Sequence, residues 1–306
     1  MKIAIVGCGA MGSIYAALMA DAGNEVWAVD TWQAHVDAIN TRGLRVEGAS
    51  GDRTVTSIRA TSDASAIGIC DLVVVATKAS GVAAAARTAL SLTGPGTMIL
   101  TIQNGLGAAD RIAEAIPTSQ VMLGVVGGFG ASMKGPGHAH HNGMEMVRLG
   151  EMDGGETARL AKVVEVWKGS GFAAKGYPDI HQMIWEKLIC NCAVSGPCCI
   201  TGLTVGQVLG NADAWRLALG CAAEADAVAR AKGIALGFDD VESYVRTFAA
   251  KIPHSKPSML QDHEARRKSE IDAINGAIPV EAAKVGLQAP VNAFVATAIR
   301  ARESGF

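Results

Sequence analysis

The chain has 306 residues, of which 49% are hydrophobic and 18% are charged, and its formal net charge is −2. This composition supplies enough apolar residues for a buried core and argues against a disordered protein. A nearly neutral chain has no strong positive potential to attract a polyanion, so we expect no nucleic-acid partner.

The cysteines and the apolar runs narrow the class of protein further. The chain has 7 cysteines, an odd number, and a disulfide framework is not expected in a chain of this length, which favours a reducing cytoplasm. Cys190 and Cys192 lie two positions apart and would point to different faces of a helix, so we expect no metal site. The sequence has no run of eighteen uncharged apolar residues, so we expect no membrane span.

In the first part of the chain, short apolar runs alternate with helical segments. The predicted strands are Lys2–Val6, Glu25–Asp30, Leu72–Thr77, Thr97–Ile102 and Val121–Val126, and the predicted helices are Met11–Ala22, Thr31–Thr41, Val82–Leu92 and Ala108–Ala115. The segments Leu44–Glu47 and Val55–Ala60 are predicted to interrupt this alternation briefly. Strands that alternate with helices predict a mostly parallel, doubly wound α/β sheet.

The pattern changes after these strands. His138–His141 and Met146–Leu149 are predicted to form a hairpin through Asn142-Gly143, a two-residue turn signal. From about Pro178 the strand pattern stops, and amphipathic segments at Ile184–Val194, Trp215–Ala231, Val241–Lys251, Ser269–Val285 and Val291–Glu303 predict helices. We therefore predict a doubly wound domain over residues 1–177 and an all-helical domain over residues 178–306.

A glycine motif follows the first predicted strand and opens the first predicted helix. It reads Gly7-Cys8-Gly9-Ala10-Met11-Gly12, a GxGxxG. In this context Gly7 permits a tight turn, Gly9 lets the backbone approach a pyrophosphate, and Gly12 lets the helix pack on the strand. The N–H groups and dipole at the helix N-terminus favour bound phosphate. The motif predicts a Rossmann domain that binds a dinucleotide through all six residues.

Asp30 ends the second predicted strand, eighteen residues after Gly12. An acidic residue at about this spacing accepts hydrogen bonds from the adenosine ribose, and its charge would repel the 2′-phosphate of NADP. The sequence therefore favours NAD as the cofactor over NADP. Asp30 is also a good N-cap for the following helix, and the two roles are compatible.

Two residues that follow later predicted strands are candidates for ligand binding. They would lie at the carboxyl ends of the strands, where ligands bind in open α/β sheets. Asn104, within Gln103-Asn104-Gly105-Leu106-Gly107, offers both a donor and an acceptor. The alternative is an ordinary Asn-Gly turn. Lys78 follows Leu72–Thr77 and could meet a phosphate, a carboxylate or only solvent.

A polar stripe is predicted on an otherwise apolar helix. Lys187, Asn191 and Ser195 are spaced four apart and share one face if the helix continues. A lysine can supply a proton to a developing alkoxide, particularly when burial lowers its pKa. The alternative is a surface lysine whose stem packs on the protein.

The last candidates lie in two segments near the C-terminus. Ser258 follows Pro257, and Glu270 follows Ser269. Taken alone, Ser258 could be an N-cap and Glu270 a helix-start carboxylate.

Taken together, these segments resemble the ketopantoate reductase (2-dehydropantoate 2-reductase) family over nearly the whole chain. The resemblance rests on the glycine motif, Lys78, Gln103–Gly107, Trp185-Glu186-Lys187-Leu188 with Asn191, Pro257–Asp262, and Ser269-Glu270-Ile271-Asp272 with Asn275-Gly276. It implies a Rossmann domain followed by a helical domain, with a small 2-oxo or 2-hydroxy acid as the substrate.

The resemblance also implies roles for the candidate residues. Lys187 would protonate the ketone oxygen, Glu270 would orient Lys187 and the substrate, and Asn104 would lie near both the nicotinamide and the substrate. Asn191, Ser195 and Ser258 would bind the substrate's polar groups. Many family members have an asparagine where this chain has Ser195, which puts ketopantoate itself in doubt as the substrate.

We therefore expect an NAD(P)-dependent oxidoreductase that prefers NAD, and we consider a homodimer as its assembly. A β-hydroxyacid dehydrogenase is an alternative, because such enzymes also join a Rossmann domain to helices and use a lysine. A non-catalytic dinucleotide sensor is another, although the presence of both Lys187 and Glu270 argues against it.

Overall fold

The computed structural model describes residues 1–128, 130–143 and 145–306. These residues form two compact units. The sheet unit comprises Met1–Gln103 and Ala108–Ile180, and the helical unit comprises Asn104–Gly107 and His181–Phe306. The short segment Asn104–Gly107 therefore belongs to the helical unit, although it lies in the first half of the chain.

The strands all belong to the sheet unit. In the described residues they are β1 (Lys2–Val6), β2 (Glu25–Val29), β3 (Leu44–Gly48), β4 (Arg53–Val55), β5 (Ile58–Thr61), β6 (Leu72–Val75), β7 (Met98–Thr101), β8 (Val121–Val126), β9 (Gly130–Gly135), β10 (His138–Gly143), β11 (Val147–Glu151) and β12 (Ala174–Gly176).

The main sheet has the strand order β12-β11-β8-β7-β6-β1-β2-β5. From β8 to β5 all neighbouring strands are parallel, whereas β11 runs antiparallel to β8. Strands that are covered on both faces are apolar throughout, and Leu72–Val75 is buried at every position. The predicted mostly parallel, doubly wound sheet is confirmed.

The helices divide between the units. In the sheet unit they are α1 (Ala10–Asp21), α2 (Gln33–Arg42), α3 (Val82–Ser91), α4 (Ala108–Ala113) and α5 (Ala158–Gly169). The next helix, α6 (Ile180–Thr201), leads into the helical unit, followed there by α7 (Val205–Gly210), α8 (Ala212–Ala231), α9 (Val241–Lys251), α10 (Ser258–Glu264), α11 (Ala277–Lys284) and α12 (Pro290–Glu303). The predicted all-helical C-terminal part is confirmed.

The predicted hairpin between His138–His141 and Met146–Leu149 is wrong. β10 belongs to a second, small sheet of order β4-β3-β10-β9, whereas β11 belongs to the main sheet. The partner of β10 in the hairpin is β9, and Gly137 in the turn between them has a φ of +72°. The sequence of β9, Gly-Ala-Ser-Met-Lys-Gly, lacks the β-branched residues that mark a strand, so the pattern did not reveal it.

The predicted helix Ser269–Val285 is also wrong in its first half. Residues 269–276 form a series of turns, and the helix begins only at Ala277. Ile271, Ala273 and Ile274 are buried, which imitates a helical spacing of apolar residues. Glu270 is therefore not a helix-start carboxylate but lies within these turns.

Each unit has its own apolar core. In the helical unit, one core surrounds the long helix α6 and includes Leu188, Ile189, Val228 and Ile299. None of the helices in the described residues combines the length and apolar character needed to cross a bilayer.

Candidate active site

The glycine motif forms the turn between β1 and α1, and packing requires two of its three glycines. Gly7 has a φ of +93°, and a Cβ there would lie 2.6 Å from Thr77. A Cβ on Gly12 would lie 2.0 Å from the carbonyl oxygen of Gly7. A side chain at either position would force the strand and the helix apart.

Gly9 differs because the fold itself does not require a glycine there. Its φ of −69° suits any residue, and apart from its chain neighbours no described atom lies within 4 Å of a Cβ placed on it. α1 has no side-chain N-cap and no acidic residue in its first turn, as far as the described residues show. An exposed, bare backbone at an uncapped helix N-terminus fits a dinucleotide pyrophosphate.

A buried hydrogen-bond chain supports this turn, and no motif in the sequence predicts it. The Ser13 hydroxyl donates to the carbonyl oxygen of Cys8 (3.0 Å) and lies 3.3 Å from His35 Nε2. His35 Nδ1 accepts the N–H of Gly137 (2.9 Å), so the Nε2 atom carries the proton of the neutral ring. Burial lowers the pKa of His35, although the nearby Asp30 carboxylate acts in the opposite direction.

Asp30 follows the last residue of β2, at the carboxyl end of the strand. Its Oδ1 accepts the N–H of Trp32 at 2.9 Å. The helix α2 begins at Gln33 with Trp32 as the N-cap residue, so the alternative of Asp30 as a helix cap is wrong. Arg42 lies at the far end of α2, about 14 Å along the helix axis, beyond the reach of its side chain to Asp30.

Lys78 and Gln103 follow neighbouring strands. Lys78 is exposed and precedes a short 3₁₀ turn, Ala79–Gly81. The Gln103 amide donates to the carbonyl oxygens of Val75 (2.8 Å) and Thr77 (3.0 Å), and its oxygen accepts from the Thr101 hydroxyl. Gln103 thereby ties the ends of β6 and β7 together.

The helical unit brings together three of the predicted residues from distant parts of the chain. The Lys187 ammonium donates to Asn104 Oδ1 at 2.7 Å, and Asn104 Nδ2 donates to Glu270 Oε2 at 3.3 Å. All three side chains are partly buried. The asparagine amide thus joins a cationic and an anionic group, and each amide atom takes the partner that suits it.

Gly105 explains how Asn104 reaches this position. The N–H of Leu106 donates to the carbonyl oxygen of Ala273 at 2.8 Å, so the two backbones are in direct contact. Gly105 has a φ of +82°, and a Cβ there would lie 2.0 Å from that same oxygen. The Asn-Gly pair is therefore a turn, and it is a turn that places Asn104 beside Glu270.

The helix α6 carries the rest of the predicted polar stripe. It is continuous from Ile180 to Thr201, so Lys187, Asn191 and Ser195 lie on successive turns, about 6 Å apart. Ser195 is only 4% exposed, whereas Lys187 and Asn191 are partly exposed. Ser258 is the first residue of α10 and is exposed, with Pro257 as the N-cap residue, so Ser258 is not a helix cap.

The cysteines form no disulfide in the described residues. All seven are free and buried. Burial raises the pKa of the Cys8 and Cys190 thiols to about 12, so both are protonated at neutral pH. Within the described ranges, no group of three or more His, Cys, Asp or Glu side chains is arranged to hold a metal ion.

Comparison with known families agrees with this arrangement. The model of the family described as ketopantoate reductase PanE/ApbA matches residues 3–154, and the model of its C-terminal domain matches residues 179–303. The chain belongs to the ketopantoate reductase family. The two matches together span most of both units, including the glycine motif, Asn104, Lys187 and Glu270.

Individual relatives match over nearly their full length. A 2-dehydropantoate 2-reductase of Archaeoglobus fulgidus is 30% identical over 305 residues, which are 99% of this chain and 98% of the relative. The crystal structure of a ketopantoate reductase from Ralstonia eutropha is 31% identical, with a TM-score of 0.90, and covers 100% of this chain and 99% of that one.

One structural relative has another named activity. It is D-mandelate dehydrogenase, in a ternary structure with NADH and anilino(oxo)acetate. That chain is 28% identical, with a TM-score of 0.90, and the match covers 100% of this chain and 99% of that one. Similarity of fold and sequence therefore extends to proteins named for different 2-hydroxy acids.

Proposed function

We propose that the protein reduces a small 2-oxo acid to the 2-hydroxy acid, or catalyses the reverse oxidation, with a nicotinamide dinucleotide as the redox partner. The observation that carries this proposal is the hydrogen-bonded series Lys187–Asn104–Glu270, drawn from three separate segments of the helical unit. Membership of the ketopantoate reductase family supports it. Residues 1–177 bind the dinucleotide, and residues 178–306 bind the acid.

The residues of this chain supply the proton and the orientation. A reduced nicotinamide, when bound, supplies the hydride that adds to the carbonyl carbon of the acid. Lys187 donates a proton to the carbonyl oxygen, where negative charge develops. Its ammonium has three N–H donors, so it can hold Asn104 and still donate to a second acceptor. Glu270 and Asn104 fix the direction of the ammonium, and Asn104 would also help to hold the nicotinamide.

The acid is held by polar side chains of the helical unit, namely Asn191, Ser195 and Ser258. At Ser195 a short hydroxyl stands where many family members have an asparagine amide, so one contact to pantoate is weakened. A lost hydrogen bond costs about 0.5–1.5 kcal/mol net. We therefore propose that another 2-oxo acid, branched or aromatic, is a better substrate than ketopantoate.

The preferred cofactor in this proposal is NAD, bound by Gly7, Cys8, Gly9, Ala10, Met11 and Gly12 together with Asp30 and Lys78. The Asp30 carboxylate accepts hydrogen bonds from the ribose hydroxyls, and such charge-assisted bonds contribute about 1.5–3 kcal/mol. It would also repel the 2′-phosphate of NADP by about 1 kcal/mol or more. Arg42 is too far along α2 to compensate. A tenfold or greater preference for NAD follows, because ~1.4 kcal/mol corresponds to one decade.

A reductase assay tests both parts of the proposal. The purified protein is given NADH or NADPH with ketopantoate, 3-methyl-2-oxobutanoate and phenylglyoxylate in turn. We expect turnover with at least one acid, a higher kcat/KM for an acid other than ketopantoate, and a higher kcat/KM for NADH. Binding of NADH without turnover of any 2-oxo acid would instead support a dinucleotide sensor.

Asp30→Ala tests the cofactor preference. The variant should lose most of the discrimination between NADH and NADPH, because it lacks both the ribose acceptor and the repelling charge. Asp37→Ala is the matched control, since Asp37 is an exposed carboxylate on the adjoining helix α2. Equal use of both cofactors by the unmodified protein, or an unchanged ratio in Asp30→Ala, would refute the role of Asp30.

A further inference from the structure

The turns of residues 265–276 carry Glu270 but contain no regular helix or strand. Apart from the backbone bond between Leu106 and Ala273, their position depends on side-chain contacts with the neighbouring elements of the helical unit. One group of contacts is buried and lies next to Glu270 in the sequence. It involves Glu303 in the last turn of α12 and Ser269.

A single oxygen of Glu303 accepts three hydrogen bonds. Oε1 lies 2.8 Å from the backbone nitrogen of Ser269, 2.6 Å from the Ser269 hydroxyl and 2.9 Å from His263 Nε2. Glu303 is 6% exposed and His263 is 3% exposed. Burial alone would raise the pKa of Glu303, but the bonds from Ser269 and His263 outweigh it and lower the pKa, so the side chain is a carboxylate at neutral pH.

The location of Glu303 is unfavourable for the helix that carries it. Negative charge at a helix C-terminus opposes the helix dipole, and a buried carboxylate loses its hydration. The other charged side chains in the last turn of α12 are Arg300 and Arg302, which the dipole favours. The carboxylate is compensated by Ser269 and by His263 of α10, not by its own helix.

We propose that Glu303 is a positioning residue, which fixes Ser269 and thereby holds the carboxylate of the next residue, Glu270, at Asn104. This inference rests on the proposed function, because Glu270 matters only if it orients Lys187. Ser269 is bound at both its backbone and its side chain, so its orientation is fixed as well as its position. Arg300 reinforces the same segment through a 2.7 Å ion pair with Asp272.

Three variants and a control test the proposal. Glu303→Ala removes all three bonds, Ser269→Ala removes one of them, and Glu303→Gln keeps an oxygen that can accept from Ser269. Ile299→Ala is the control, because Ile299 is buried one turn earlier in α12 and its truncation destabilises the same helix without touching these bonds. Each protein is assayed with NADH and the acid that the unmodified protein reduces fastest, well below its Tm.

We expect Glu303→Ala to lower kcat by about 10- to 100-fold, since small displacements of catalytic groups have effects of this size. Ser269→Ala should show a smaller loss. Glu303→Gln and Ile299→Ala should stay near the unmodified kcat, and the Kd for NADH should be unchanged throughout. A kcat for Glu303→Ala equal to that of Ile299→Ala at matched Tm would overturn the proposal. If Glu303→Ala does not fold, an unchanged kcat in Ser269→Ala would overturn it.

A second readout does not depend on turnover. The Ser269 amide donates to Glu303, so its hydrogen exchange, followed by NMR, should be slow in the unmodified protein and in Ile299→Ala and much faster in Glu303→Ala. Equal exchange in all three would show that Glu303 does not hold Ser269. If the unmodified protein reduces none of the three acids, the proposed function fails. The exchange measurement still tests whether Glu303 holds Ser269.

Discussion

The glycine motif and the Lys187 group, which consists of Lys187, Asn104 and Glu270, are organised in different ways. The glycine motif is six consecutive residues whose shape follows from the turn between β1 and α1. The Lys187 group joins side chains that are 83 and 166 residues apart in the sequence, through single hydrogen bonds. The first site depends on the absence of side chains, and the second depends on where three of them meet.

This difference predicts different sensitivities. Substitutions in the glycine motif should act on dinucleotide binding or on the stability of the sheet unit. Substitutions in the Lys187 group should act on kcat, because those residues supply and direct the proton. The predictions below separate these effects, beginning with the largest.

Lys187→Ala should lower kcat by roughly 10²–10⁴-fold, which is the usual contribution of a positioned general acid. The Kd for NADH, measured by fluorescence titration, should change little, because Lys187 is not part of the glycine motif. Lys284→Ala, an exposed lysine on α11, is the control and should behave as the unmodified protein. Turnover by Lys187→Ala within a few fold of normal would remove Lys187 from the mechanism.

Gly9→Ala and Gly12→Ala form a matched pair within one motif. An alanine at Gly9 meets no described atom, so Tm should stay the same or rise slightly, but the methyl group should weaken NADH binding by roughly tenfold or more. An alanine at Gly12 would clash with Gly7, so it should cost about 1–3 kcal/mol of stability or more. Unchanged NADH affinity in Gly9→Ala would show that the bare backbone does not contact the pyrophosphate.

The smallest expected effect concerns pH and His35. Burial lowers the pKa of His35 in the folded protein. Below about pH 6.5, His35 therefore binds a proton in the unfolded chain but not in the folded protein. The free energy of unfolding should therefore fall as the pH drops from 7 to 5.5, with a slope of up to about 1.4 kcal/mol per pH unit for this group. His35→Gln, which cannot titrate, should show a shallower decline in urea unfolding. Identical slopes would refute this role of His35.

The sequence predicted the parts of the fold that have a local signal. The parallel strands are uninterrupted apolar runs, and the glycine motif has a fixed spacing, so both could be located directly. The pattern does not predict β9, because its glycines and polar residues carry no strand signal. The sequence predicts a helix at 269–276, where the structure has turns, because the buried residues there have a helical spacing.

The candidate site shows the same division. Asn104, Lys187 and Glu270 can be named from the motifs around them, and the structure shows that Asn104 lies between the other two. His35 and Glu303 could not be named, because their partners are distant in the sequence and an isolated histidine or C-terminal glutamate resembles an ordinary surface residue. Supporting contacts of this kind depend on tertiary structure and leave no pattern in the chain.

The central claim is that Lys187, Asn104 and Glu270 act as one unit, and a double-mutant cycle tests it most directly. The kcat is measured with NADH and the best 2-oxo acid for the unmodified protein, Lys187→Ala, Glu270→Ala and the double variant. If Glu270 acts by orienting Lys187, its removal matters little once the lysine is absent, so the double variant should be about as slow as Lys187→Ala alone. A double variant whose loss equals the product of the two single losses would show that the two residues act independently, and would contradict the claim.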